Sequence, residues 1–89
     1  MIIVRFNTNF IKSYSKRIKN NKKLKIQVAQ RIDLFKSDRT FSTLKDHILI
    51  GDKQGLRSFS ITGDLRIIYR LVSEDLVEFL DIGSHNQVY

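Results

Sequence analysis

Two turn signals divide the C-terminal part of this 89-residue chain into three short runs, and this punctuation constrains the fold more than any other feature. The runs are Leu56–Ile61, Leu65–Val72 and Leu76–Gly83, separated by Thr62-Gly63-Asp64 and Ser73-Glu74-Asp75. Gly63 can take a positive φ at little cost and Asp64 can bond nearby backbone, so a tight turn is expected at the first break. The product is a three-stranded antiparallel meander. Pairing Val72 with Leu76 sets Ile68 opposite Leu80, Arg66 opposite Ile82 and Asp64 opposite Ser84, while pairing Ile61 with Leu65 sets Ser60 opposite Arg66. Ser60, Asp64 and Arg66 thereby converge at one end of the sheet with the residues around His85. That end is the candidate working site.

The pleat sorts the meander into two faces. Phe59, Ile61, Leu65, Ile67, Tyr69, Leu71, Val77 and Phe79 form a core face, with Arg57 in the same phase. Ser58, Ser60, Arg66, Ile68, Arg70, Glu78 and Leu80 form a mixed, partly open one. Upstream, Ile2–Phe6 reads as a short strand. From about Asn9 to Lys19, Phe10, Ile11, Tyr14 and Ile18 recur at helical spacing, and from about Lys22 to Lys36, Leu24, Val28, Ile32 and Phe35 do the same. Asn20-Asn21 breaks the two apart. Ser37–Lys45 reads as a polar, irregular linker, Ile48-Leu49-Ile50 as an edge strand, and the tail after Gly83 as one helical turn. These elements predict an α+β sandwich in which two antiparallel N-terminal helices cover a mostly antiparallel sheet of four or five strands.

A chain of this length makes one domain, residues 1–89, with one modest core. It has no cysteine, which removes disulfides and thiolate metal sites and fits a reducing cytoplasm. No signal peptide, membrane span or membrane partner is expected. Residues 1–44 hold eleven Lys/Arg against two Asp/Glu, a balance of +9, whereas residues 45–89 hold five against seven. Charge this uneven fits a polyanion or an acidic protein as partner, its plainer reading being a solvated helical face. Two histidines with scattered carboxylates lack metal-ligand spacing, so neither metal nor small-molecule cofactor is expected.

The run KDHILIGDKQGLRSFSITGDLRIIYRL followed by DIGSHNQVY resembles the RelE/ParE superfamily of toxins from type II toxin–antitoxin systems, and its YafQ-like branch most closely. The resemblance covers the whole chain in element order and is specific from Lys45 to Tyr89. It implies a RelE-like fold and a ribosome-dependent endoribonuclease that cleaves messenger RNA, held inactive by a cognate acidic antitoxin. It places His47 and His85 at the branch's two flanking histidines, Asp64 at its turn aspartate and Tyr89 at its C-terminal aromatic. Arg66 matches the arginine common in other RelE-type toxins. Ser60 departs from the pattern, since the branch often has histidine there. Two alternatives stay open, a gyrase-poisoning toxin of the same fold and a degenerate toxin kept as a binding module.

RNA is cut without metal when its own 2′-hydroxyl attacks the adjacent phosphate. The protein must take that proton, stabilise the charge on phosphorus and protonate the leaving 5′-oxygen, which calls for groups that titrate near neutrality and a fixed cation. The expected catalytic set is His85 as general acid, Asp64 or His47 as base or its orienter, and Tyr89 stacking on a nucleobase. Arg66 is expected to clamp the phosphate, with Arg57, Ser60 and Arg70 as further substrate contacts. Lys12, Lys16, Arg17, Lys19, Lys22 and Lys23 are expected to meet the ribosome or the antitoxin. Each also has a plainer reading as a surface histidine, a turn aspartate, an edge-blunting strand cation or an aromatic lid on the sheet.

Overall fold

The structure, a computed structural model, describes residues Met1 to Tyr89. The element order is β1 (Ile3–Phe6), α1 (Thr8–Arg17), α2 (Lys22–Ser37), β2 (His47–Ile48), β3 (Arg57–Ser60), β4 (Leu65–Ser73), β5 (Leu76–Ser84) and a one-turn helix α3 (His85–Val88). One five-stranded sheet has the order β1-β5-β4-β3-β2, antiparallel except for the parallel β1–β5 pair. Helix starts are set locally. Asn7 accepts from the Asn9 N–H at 2.8 Å to cap α1, and Asn21 accepts from the Leu24 N–H at 3.0 Å to cap α2. Lys16 and Arg17 close the last turn of α1, where cations suit the helix dipole.

Both helices lie over one face of the sheet. Phe10 and Ile18 of the α1 segment and Val28 and Phe35 of α2 pack with Phe59, Ile61, Ile67, Tyr69, Val77, Phe79 and Ile82. Phe35 sits at the centre, stacked on Phe59 at 4.4 Å and edge-on to Tyr69 at 4.9 Å and Phe79 at 5.6 Å. Such contacts add to the area term that drives burial. Ile11, expected on the core stripe, is instead half exposed, because the apolar face of α1 is narrower than its sequence period. The supposed linker is more than a linker. It contains a 3-10 turn, Ser42–Leu44, and Leu44 is fully buried in the main core.

The meander register is right in its middle and shifted by one at the working end. Ser60 faces Arg66 as expected, and Tyr69 faces Phe79. Below that pair the register slips, so that Ile68 faces Asp81, Arg66 faces Gly83 and Leu65 faces Ser84. Leu80 is therefore an extra residue, a β-bulge. An unbroken pleat would carry Asp81 into the core after Val77 and Phe79. The bulge delivers Ile82 there instead, where it is fully buried. The bulge is tied down by α1, since Asn9 Nδ2 donates to the Leu80 carbonyl at 2.9 Å and Arg17 donates to the Ile82 carbonyl at 2.8 Å.

A second irregularity between Leu71 and Ser73 leaves the end of β4 projecting, and Leu71 is exposed rather than part of the core. Gly63 does not use the left-handed region. The positive-φ glycines are Gly51 and Gly55, which flank the β2–β3 connection, while the 62–64 turn is closed by Thr62 Oγ1 accepting from the Leu65 N–H at 3.2 Å. Ile68, expected on a partly open face, is buried beneath Leu49 and Val88. The tail thus covers the sheet face opposite α1 and α2.

Candidate active site

The site forms where β2, β3 and α3 meet on that second face. Lys45 has a left-handed backbone (φ 51), which is uncommon for a residue with a side chain. The chain turns there so that the Asp46 carboxylate goes inward and His47 stays exposed. Asp46 accepts from Arg39 at 2.8 Å, from Arg57 Nε at 3.2 Å and from the Tyr69 hydroxyl at 2.7 Å. These bonds anchor the residue just before His47 to β3 and β4. His47 Nδ1 lies 2.8 Å from the Lys45 carbonyl. A carbonyl only accepts, so a neutral His47 holds its proton on Nδ1 and leaves the Nε2 lone pair free.

The tail is fixed with equal care. Ser84 and Gln87 form a capping box, with the Ser84 N–H donating to Gln87 Oε1 at 2.7 Å and the Gln87 N–H to Ser84 Oγ at 3.3 Å. Asp64 accepts from the His85 main-chain N–H at 3.2 Å. Space at Gly83 is tight: a Cβ there would lie 2.7 Å from an Arg17 guanidinium nitrogen and 2.8 Å from Gln87 Oε1, so both side-chain ends would have to shift. Val88 plugs the small core over Ile68. The Tyr89 hydroxyl donates to Ser58 Oγ at 2.6 Å, and the His85 and Tyr89 rings meet edge to face at 4.5 Å. Ser58 is in turn the register partner of His47. In the next row Arg66 donates to Ser60 Oγ at 2.8 Å, while its Nε is buried without a partner.

Of the sequence-derived candidates, His47, His85, Tyr89, Ser60 and Arg66 gather on this face. Asp64 stands at its edge, with its carboxylate spent on the main chain of the tail and not on the imidazole of His85. Arg57 is placed elsewhere. It shares the phase of Phe59, and its Nε serves Asp46 and the Tyr69 hydroxyl on the helix-facing side. Burial alone would loosen the Arg57 proton, but the Tyr69 and Asp46 oxygens outweigh it and hold the guanidinium charged. Arg70 lies toward the far end of β4, paired with Glu78. The carboxyl of Glu78 is held below its usual range by the Asn7 amide first and by Arg70 as well. Lys12, Lys16, Lys19, Lys22 and Lys23 are exposed and free of ion pairs, whereas Arg17 is half-buried against Asp81 and the Ile82 carbonyl. No group of three His, Cys, Asp or Glu side chains is placed to hold a metal ion.

Ser58 carries no sequence sign of a site residue, because its register with His47 exists only in the folded sheet. Asp52 and Lys53 were likewise passed over. With His47, Ile48, Leu49, Ile50 and Tyr89 they line a cavity of about 540 Å³.

The Asp46 network makes a testable pH dependence. Burial, and next the Asp46 carboxylate, push the Tyr69 phenol above its ordinary value. The folded protein therefore keeps a proton that the unfolded chain releases above about pH 10. This contribution to stability is fully present below that pH and is lost progressively above it, as the pH climbs toward the raised value of the folded state. The stability advantage of the wild type over Tyr69→Phe should accordingly hold up to about pH 10 and shrink steadily from there to about pH 12, as read by urea denaturation midpoints.

The architecture defines a small RelE-like α+β toxin fold, and comparison with known proteins agrees. A copper-bound mutant toxin from Helicobacter pylori superposes with a TM-score of 0.75 and 25% identity over 100% of both chains. YafQ from E. coli strain BL21(DE3) superposes with a TM-score of 0.69 and 24% identity, over 100% of this chain and 99% of that one. YafQ in the E. coli DinJ–YafQ complex gives 0.67 and 24% over the same shares. No curated protein matches the sequence. The family model for the bacterial toxin of type II toxin–antitoxin systems, YafQ, matches residues 3–89, and the chain belongs to that family.

Proposed function

We propose that the protein is a ribosome-dependent endoribonuclease that cleaves messenger RNA by metal-independent attack of the 2′-hydroxyl. The observation that carries this reading is the gathering of two histidines, His47 and His85, around Tyr89 and Ser58, with the Arg66 guanidinium in the adjacent row. His47, with its Nε2 lone pair free, takes the 2′-hydroxyl proton. Asp64 orients the tail, so the base role falls to His47 and not to the carboxylate. His85 returns a proton to the leaving 5′-oxygen. Arg66, which Ser60 holds in place through one guanidinium nitrogen, clamps the phosphate with the terminal nitrogens of its donor fork. Tyr89 stacks on a base, a contact worth ~1–3 kcal/mol in other systems.

The exposed lysines of α1 and α2 would meet ribosomal RNA through phosphates, or an acidic antitoxin that folds as it binds. Gyrase poisoning needs no pair of titratable groups, and a degenerate toxin needs no free base. Induced expression separates the three. Prompt loss of translation with cleaved messages is the expected result. Gyrase-linked DNA damage with intact messages, or unimpaired growth, would overturn it.

A further inference from the structure

We infer that the cavity between β2 and the chain end is a nucleobase pocket that prefers guanine, with Asp52 as its reading group. The inference rests on the proposed RNA cleavage and names the base that this site selects. The cavity has apolar walls with nothing over them, since Ile48 and Ile50 are 58% and 86% exposed. These two side chains and the Tyr89 ring line the same cavity, and apolar and aromatic walls of this kind suit a flat heterocycle. The ring is a rigid platform, because its hydroxyl is bonded to Ser58 and His85 braces it edge to face. The volume of about 540 Å³ lies within the range of small-ligand pockets, about 300–1,000 Å³.

The polar groups narrow the ligand further. Asp52 and Lys53 enter the cavity from the 3-10 turn Gly51–Lys53, and neither makes an ion pair with the other or with any residue. An ionised carboxylate only accepts hydrogen bonds. Guanine offers it two adjacent donors, N1–H and the N2 amino group, for a bidentate bond. Adenine and cytosine offer one amino group beside a ring nitrogen whose lone pair repels the carboxylate. Uracil offers a single N3–H flanked by two carbonyls. Lys53 is left to meet a phosphate, which is sequence-independent. His47 lines the same cavity, so a base seated there holds its ribose close to the proposed general base.

Titrating the purified protein with GMP, AMP, CMP and UMP tests this, with the methyl resonances of Ile48 and Ile50 and the Tyr89 ring as reporters. GMP is expected to bind about tenfold more tightly than UMP. Asp52→Asn should bring GMP to the level of AMP, and Lys53→Ala should weaken all four alike. Equal binding of the four nucleotides, no binding at millimolar concentration, or a GMP lead that survives Asp52→Asn would each overturn the assignment. If messages stay intact while GMP selectivity holds, the cleavage reading falls and the pocket stands. If messages are cut without regard to guanine and Asp52→Asn changes nothing, only the pocket falls.

Discussion

Replacing His85 with alanine should lower RNA cleavage by about 10²–10⁴-fold, the usual worth of a positioned general acid or base. Growth arrest on induction should disappear with it. The side chain is exposed, and its ring contact is edge to face with Tyr89, so the fold should tolerate the change within about 0.5 kcal/mol. Circular dichroism and a thermal melt check that point, and cleavage of a reporter message in a translation extract checks the first. A His85→Ala protein that still arrests growth in full would remove the acid–base assignment. His47→Ala should act in the same direction. The double variant should be little worse than either alone, because the two groups serve one proton-transfer sequence.

The second large effect is on stability. Asp46→Ala should destabilise the fold by about 2–3 kcal/mol, below the range for fully buried pairs because its arginine partners are partly solvated. The Asp46 side chain is only 4% exposed, while those of Arg57 and Arg39 are 24% and 28% exposed. Its removal leaves Arg39 without its ion pair, and leaves Arg57 and the Tyr69 hydroxyl with only each other. For a domain of this size the melting temperature should fall by about 10–20 °C. The same variant should lower cleavage at temperatures where it is still folded, since the bonds that seat the residue before His47 are gone. An unchanged melting temperature would mean that the network contributes nothing. Cleavage unchanged in the folded variant would mean that His47 is seated by the Lys45 turn alone.

The sequence read well wherever alternation or helical period spoke for itself. The two helices, the meander and the pairing of Ser60 with Arg66 all follow from apolar spacing and turn composition, and the family resemblance named the same end of the sheet. Misreadings came where a single residue broke period. Nothing local in Leu80-Asp81-Ile82 announces a bulge, which is selected by the cost of carrying Asp81 into the core and by the amide of Asn9, distant in sequence. Leu44 was lost in a polar stretch because one buried leucine makes no pattern. Arg57 was legible by phase alone, and its partner Asp46 was not, since a loop carboxylate carries no periodicity. Ser58 joined the site only through register across β2 and β3.

The parallel pairing of β1 with β5 has a bearing on how the molecule is made. Ile3 of β1 pairs with Leu76 of β5, far apart in the sequence, so this edge cannot form by local zipping and must wait for a long loop to close. A nascent chain leaving the exit tunnel holds β1 and both helices with no neighbour to receive them. The β3–β4 hairpin assembles early, and the sheet is completed only when β5 emerges. Since β5 also leads into α3, the face that carries His47, His85 and Tyr89 is put together only after β5 has paired.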